Sequence, residues 1–166
     1  MRVWIASIAA VAVQPIVLAL RLAPDYFVSP QPLYGVGFFL LSVVVVAAAV
    51  VLVLGVPAFH ILHKFRRDGW CSLGVAGFVL GALPVVFSWP SRLEGFSSGH
   101  NWHGKYVETY VNGIPTTYAW LTYGENILYF GLHGLAGALV FYAVWRGLGR
   151  PNKSLQATPQ SGAPDL

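Results

Sequence analysis

The chain has 166 residues, of which 56% are hydrophobic and 10% are charged. Soluble domains carry about 25% charged residues, so this composition excludes a water-soluble globular protein and indicates an integral membrane protein. The net charge is +4, but the ten Lys and Arg residues are dispersed between apolar segments and form no basic stripe typical of nucleic-acid binding. Because Cys71 is the only cysteine, an internal disulfide and a multi-cysteine metal site are also excluded.

Four apolar segments follow one another along the chain. Each is long enough, or nearly so, for the roughly 20 residues that a helix needs to cross about 30 Å of hydrocarbon. The run of four valines at 43–46 would favour a strand in water. In a bilayer the backbone must satisfy its own hydrogen bonds, so we predict a helix there as well. The predicted spans cover residues 3–20, 33–59, 70–89 and 126–145.

The first span has an alternative interpretation as a cleaved signal peptide, because a short basic start precedes an apolar stretch. Two features oppose cleavage. Gln14 and Pro15 interrupt the apolar stretch, and the segment 21–23 places an arginine where a cleavage site needs a small residue. We therefore expect the first span to be retained as a membrane helix.

Lys and Arg residues flank the four spans unequally, which predicts an orientation. If the N-terminus lies inside, seven of the ten are on the inner side, namely Arg2, Lys64, Arg66, Arg67, Arg146, Arg150 and Lys153. The outer side then holds Arg21, Arg92 and Lys105. The positive-inside rule therefore predicts a multi-pass protein of the cytoplasmic (inner) membrane with both termini in the cytoplasm.

The segment 90–124, between the third and fourth spans, is the one substantial extramembrane segment and is predicted to lie outside. Its Asn112-Gly113 dipeptide lies between β-favouring residues, the strongest short signal for a hairpin, because both turn positions need positive φ. The predicted pairs are Val111 with Ile114, Tyr110 with Pro115, Thr109 with Thr116 and Val107 with Tyr118. Pro115 then falls in a non-hydrogen-bonded pair, where its missing N–H costs little. An isolated ribbon is marginal, so we expect this one to rest on the outer membrane face or the span ends; the alternative is a platform for a ligand or partner.

Five histidines are the candidates for metal chemistry. His60 and His63 are three residues apart at the inner end of the second span, but the basic residues that follow would oppose a divalent cation. His100 and His103 repeat this spacing in the outer loop, where two more ligands would have to come from Glu94, Glu108 or Glu125. Nothing in the spacing requires a metal, so we predict no metal site and no cofactor, with His100 and His103 as the nearest candidates for ligands.

His133 is the most informative polar residue, because it falls near the middle of the fourth span, where an ionisable group is costly. Glu125, Tyr129 and His133 follow at intervals of four and lie along one side of the helix. One interpretation is a polar site or proton path that opens outward. The other is a neutral histidine that fixes the bundle through a hydrogen bond to a neighbouring helix. We favour the second interpretation.

Small residues indicate close packing of the last two spans. Gly77 and Gly81 form a GxxxG motif in the third span, and Gly131 and Gly134 lie in the fourth. Such residues allow helices to approach within one chain or between chains. We expect packing within the chain, with a homo-oligomer or a membrane-protein partner through these four glycines as the alternative.

The chain is therefore predicted to be an all-α integral membrane protein, with four transmembrane helices in residues 1–150 and a small β-hairpin in the outer loop. Residues 151–166 are predicted to form a disordered cytoplasmic tail. No catalytic motif is present, so we expect a non-enzymatic membrane component or accessory protein. A first alternative is a small-molecule or proton-linked binding or transport role centred on Glu125, Tyr129 and His133. A second is a membrane redox subunit whose histidines bind a metal or haem.

Overall fold

A computed structural model describes the backbone of residues 1–28 and 36–149, and the side chains of residues 1–20 and 36–149. The predicted tail at 151–166, the basic residues Arg150 and Lys153, and the start of the second span at 33–35 lie outside the described residues. The helices are α1 (Arg2–Val28), α2 (Val36–Val50), α3 (Val56–Lys64), α4 (Trp70–Val86) and α5 (Thr117–Gly147). A π-helical segment (Val51–Gly55) joins α2 to α3 without a break, and the strands are β1 (Ser98–Trp102), β2 (Lys105–Val111) and β3 (Ile114–Pro115).

Within the described ranges, three helices are long and apolar enough to cross a membrane. They are Arg2–Leu20, with 19 residues, the continuous helix Val36–Lys64, with 29, and Thr117–Gly147, with 31. The prediction of a mainly helical protein with apolar helices long enough to span a membrane is thereby confirmed for three of the four predicted spans. The fourth apolar helix, α4, has 17 residues, which corresponds to about 25 Å of helix.

The helix α4 packs closely along α5 because glycines face each other across their interface. A side chain at Gly77 or Gly134 would collide with the backbone of the other residue, and one at Gly81 would collide with the carbonyl of Phe130. The ring of Phe78 occupies the space in which a side chain at Gly131 would lie. The four glycines predicted to mediate packing are thus in contact within the chain.

At one end of the bundle, helices α1, α3, α4 and α5 meet in a small core. Its buried members are Ala6, Ala10, Phe59, Leu73 and Phe141. The ring of Phe59 lies edge-on to those of Phe141 and Trp145, at centroid distances of 4.9 and 5.2 Å. The apolar end of α3 is therefore held against the bundle, whereas α2 contains no buried residue.

A three-stranded antiparallel sheet in the order β1-β2-β3 covers the opposite end of α5. The Asn112-Gly113 turn has φ values of 48° and 80°, and Val111 pairs with Ile114 and Tyr110 with Pro115, as predicted. The N–H of Thr116 donates to the carbonyl of Thr109 at 2.9 Å, as expected for the next pair of the ladder. Buried Val107 on β2 and Ala119 on α5 lie where the sheet and the helix meet.

Two details of the predicted outer loop are wrong. Tyr118 lies in α5 rather than opposite Val107, because the helix of the fourth span continues toward the N-terminus as far as Thr117. Each added helical residue gains a backbone hydrogen bond, and in residues 117–125 only Gly124 opposes helix formation. Val107 instead pairs with His100 of β1, so a third strand is added to the predicted hairpin.

Candidate functional site

The polar contact at the centre of the bundle joins the first and last helices. The imidazole Nδ1 of His133 on α5 lies 2.8 Å from the amide Oε1 of Gln14 on α1. The amide Nε2 of Gln14 donates to the carbonyl of His133 at 3.2 Å and to that of Ala10 at 3.4 Å. Gly137 makes this approach possible, because a Cβ there would lie 2.8 Å from the Gln14 nitrogen.

These contacts determine which nitrogen of His133 carries a proton. Both nearby carbonyls accept hydrogen bonds, so the nitrogen of the Gln14 amide must face them and its oxygen must face the ring. That oxygen has no proton to donate, and Nδ1 of His133 must therefore be the donor. In the neutral ring the remaining nitrogen, Nε2, is then a hydrogen-bond acceptor.

The three residues predicted to lie along one side of α5, Glu125, Tyr129 and His133, are found in two different environments. Tyr129 stays with His133, and their rings meet edge to face at a centroid distance of 4.5 Å. Glu125 instead faces the sheet, where its Oε2 accepts a 2.9 Å hydrogen bond from the indole Nε1 of Trp102 and lies 3.7 Å from Nε2 of His103. The structure thus brings Tyr129 and His133 together with Gln14, and places Glu125 at the junction of the sheet and α5.

Tyr129 and His133 line a large cleft between the helices, with a volume of about 1320 Å³. The cleft exists because α2 packs against α1, while its contacts with α4 and α5 are marginal at most. The π-helical segment 51–55 separates two parts of this helix that pack differently: α3 after it contributes Phe59 to the core, and α2 before it has no buried residue. Most of the cleft wall is apolar and comes from α2, α4 and α5.

The polar residues of the cleft cluster on one face of α5. Thr122, Asn126, Tyr129 and His133 all line it and are spaced by four, three and four residues, which places them on one side of a helix. One end of the cleft is lined by residues of the sheet, among them His100 and Thr109. We name this cleft, together with the four polar residues of α5 and Gln14, the polar cleft.

Sequence reasoning identified His133 and Tyr129 but missed three residues of this site. Thr122 and Asn126 lie on the same helical face as His133, but a search at intervals of four residues from His133 does not reach them. A search at i+3 and i+7 along the span would have found them. Gln14 was recognisable as a polar residue inside an apolar span, but its partner is 119 residues away. That pairing depends on how the helices pack.

The remaining histidines lie at the two ends of the bundle. His63 lies between Phe59 and Trp145, at centroid distances of 5.6 and 5.8 Å, and its Nδ1 is 2.7 Å from Asp68 Oδ2. His100 is on β1, and His103 occupies the exposed turn that follows it. In the parts of the chain that the structure describes, no three His, Cys, Asp or Glu residues come together as metal ligands would.

Comparison of the chain with protein-family models, with curated proteins and with solved structures finds no match. The physical properties of the polar cleft are therefore what indicate a function. Three of these matter most: its volume, its apolar wall, and the polar residues that occupy one side of it.

Proposed function

We propose that the protein is a non-enzymatic membrane protein that binds a small amphiphilic molecule in the polar cleft. The observation that carries this proposal is the cleft itself. Its volume of about 1320 Å³ exceeds the roughly 300–1,000 Å³ of ordinary ligand pockets, and polar side chains line one strip of a mainly apolar wall. A molecule with an apolar body and a small hydrogen-bonding head matches this division.

The polar side chains favour an uncharged head group with a hydroxyl or amide. The side chain of Asn126 offers both a donor and an acceptor to such a head group. The hydroxyl of Thr122 is buried and has no hydrogen-bond partner among the residues that the structure describes. An unsatisfied buried hydroxyl costs about 1–3 kcal/mol, so a ligand that bonds to it gains affinity from a group already removed from water.

A photoactivatable fatty alcohol with a diazirine on its chain tests this proposal in membranes containing the protein. We expect labelling of α2 and α5 residues that line the polar cleft, identified by peptide mass spectrometry. Ala47→Phe, on the cleft side of α2, should reduce this labelling at least about fivefold by filling the space that the chain occupies. Val45→Phe is the matched control, because Val45 lies on α2 with 60% exposure and does not line the cleft.

Equal labelling of the two variants would contradict the proposal, since the alcohol would then be reporting general contact with lipid. The same preparations should be examined for bound metal and for visible absorption. A stoichiometric metal or pigment would instead favour a redox subunit that uses the histidines. Labelling that is lost equally in His133→Leu and Ala47→Phe, with both proteins folded, would strengthen the assignment of the head group to α5.

We further propose that all four apolar helices cross the cytoplasmic membrane, with both termini in the cytoplasm. The support for α4 as a span is its position alongside α5: Gly77 meets Gly134, and near its end the carbonyl of Val86 accepts a 2.9 Å hydrogen bond from Tyr123. The support for the orientation is that Arg2, the 64–67 loop and Arg146 lie at the end opposite the sheet.

The single native cysteine makes this orientation testable. Cys71 is exposed at the start of α4, at the basic end of the bundle. We expect a membrane-impermeant maleimide to label it only after the cells are permeabilised. Lys105→Cys in a Cys71→Ser background, at the exposed start of β2, should be labelled in intact cells. The reverse pattern would invert the proposed topology, and labelling of both sites on the same side would remove α4 from the spans.

A further inference from the structure

A second cavity lies at the basic end of the bundle, and none of its lining residues is shared with the polar cleft. It has a volume of about 560 Å³ and lies between the start of α1 and the end of α5. Its lining residues are Arg2, Asp68, Gly69, Tyr142, Trp145, Arg146 and Gly149. We name it the arginine pocket. We infer that the arginine pocket binds a phosphate group.

The charge around this pocket is unbalanced. Five described cations gather at this end of the bundle, namely Arg2, Lys64, Arg66, Arg67 and Arg146. The ion pairs found among the described residues are His63 with Asp68 and His103 with Glu125, so none of these five cations is paired with a carboxylate there. An anion brought to this end therefore meets positive charge that the described part of the chain does not neutralise.

Two of the five cations converge on the pocket from different helices. Arg2 comes from the first turn of α1 and Arg146 from the last turn of α5. The side chain of Arg146 is held in place, because its Nη1 donates to the hydroxyl of Tyr142 and its guanidinium carbon lies 5.6 Å from the centroid of that ring. A pair of guanidinium groups, one of them oriented in advance, suits the planar, bidentate binding of phosphate oxygens.

Asp68 is the one carboxylate in the lining of the pocket and would repel an anion. Its Oδ2, however, is 2.7 Å from Nδ1 of His63 and accepts a hydrogen bond from it. The lining therefore carries two positive charges, from Arg2 and Arg146, and one negative charge, from Asp68. The net charge of the lining is positive and favours an anion.

A phosphate group can reach this pocket from a phospholipid or from solution. Trp145 and Tyr142 are residues typical of the membrane interface, and basic pockets between helix ends on the cytoplasmic side bind anionic head groups. The volume also leaves room for the ester groups that accompany a lipid phosphate. A soluble phosphate would use the same two guanidinium groups without the aromatic contacts, so the test must distinguish these sources.

Native mass spectrometry of the detergent-solubilised full-length chain can measure this binding. The lipid arms use phosphatidylglycerol and phosphatidylcholine, and the soluble arm uses inorganic phosphate alone and as a competitor of the lipid. We expect retention of phosphatidylglycerol over phosphatidylcholine. Arg2→Gln combined with Arg146→Gln should weaken that retention by about tenfold or more. The reason is that one hydrogen bond to a charged group already contributes about tenfold in affinity.

The matched control is Arg66→Gln combined with Arg67→Gln, which removes the same charge from the same end but outside the pocket lining. It should change retention by less than about threefold, as expected for screened surface charges. Equal loss in the two double variants would overturn the inference in favour of diffuse charge, as would no binding in any arm. Binding of inorganic phosphate alone, lost with Arg2 and Arg146, would assign the site to a soluble phosphate.

Folding is controlled separately. Arg2→Gln alone changes an exposed side chain, so it reports on the pocket even if loss of Arg146 from the Tyr142 contact destabilises the double variant. Arg146→Lys keeps the charge and removes the planar guanidinium group. Its retention of phosphatidylglycerol should lie between that of the native protein and that of Arg146→Gln. The cleft variant Ala47→Phe should leave phosphatidylglycerol retention unchanged, so failure at one site can be recognised independently of the other.

Discussion

Two sides of the helix bundle are packed in opposite ways. Between α4 and α5, glycines at 77, 81 and 134 bring the two backbones into direct contact. In α2, the most apolar of the helices that the structure describes, no residue is buried, and a cleft of about 1320 Å³ lies beside it. Lipid is as apolar as a leucine side chain, so apolar character alone does not draw helices together in a membrane. Small residues allow close packing, and those of α2 are Gly37, Ser42 and the three alanines at 47–49.

The largest expected effect comes from enlarging a glycine on the tightly packed side. Gly134→Leu places a side chain against the backbone of Gly77 and the Cα of Gly81, neither of which can yield without separating the helices. We expect a loss of at least about 3 kcal/mol in the free energy of unfolding, the upper end for an overpacked core. Thermal or denaturant unfolding in detergent measures it.

The matched control for this substitution is Gly37→Leu in α2, where a Cβ meets nothing within 4 Å. It should leave stability unchanged or slightly improved, because leucine is the better helix former. If both variants lost the same stability, the difference between the two sides of the bundle would not be one of packing.

The next largest effect should come from Phe59, which holds α3 against the core. Phe59→Ala removes a ring that is 4% exposed and contacts Phe141 and Trp145, so we expect a loss of about 3 kcal/mol. Phe38→Ala removes the same number of atoms from a residue of α2 that is 78% exposed and should cost less than about 0.5 kcal/mol. A large cost at Phe38 would show that α2 is packed against something other than lipid.

A smaller effect is expected where α1 is joined to α5. Gln14→Leu and His133→Leu each break the contact between their side chains, and each should cost about 1–2 kcal/mol because a buried partner is left unsatisfied. The double variant should cost less than the sum, with a coupling energy of about 1 kcal/mol. Ser42→Ala is the control, since that hydroxyl bonds to Phe38 within α2. Additive costs would mean that the two side chains do not act on each other.

The sequence is a good guide to the parts of this fold that depend on local chemistry. The Asn112-Gly113 turn, the pairs Val111–Ile114 and Tyr110–Pro115 beside it, and the tolerance of Pro115 follow from the conformations that those residues allow, and the structure confirms them. Strand β1 escaped prediction because Ser-Gly-His-Asn-Trp has neither alternation nor strong β-propensity. Its position depends on long-range contacts, such as that of Trp102 with Glu125 across 23 residues.

The candidate site depends even more on long-range contacts that the sequence does not reveal. His133 was recognisable because an ionisable residue within an apolar span is costly wherever it lies. Its bond to Gln14, and the tautomer that follows, depend on how α1 crosses α5. The cleft exists because α2 remains apart from α4 and α5. Sequence patterns indicate which helix faces make contact, but not where a space is left between helices. The sequence therefore singled out His133 and Tyr129, while the partners of His133 and the shape of the cleft depend on how the helices pack.

The smallest expected effect on stability belongs to Ala47→Phe, and it gives the strongest contrast with Gly134→Leu. Both substitutions enlarge a small residue in a helix, but Ala47 faces open space in the cleft. We expect the free energy of unfolding to change by less than about 0.5 kcal/mol, the range of substitutions away from packed features. Unfolding measured beside Val45→Phe checks this, and a loss of several kcal/mol would mean that the cleft closes in the membrane. If stability is kept while labelling by the fatty alcohol is lost, the cleft is space that the fold leaves for a ligand.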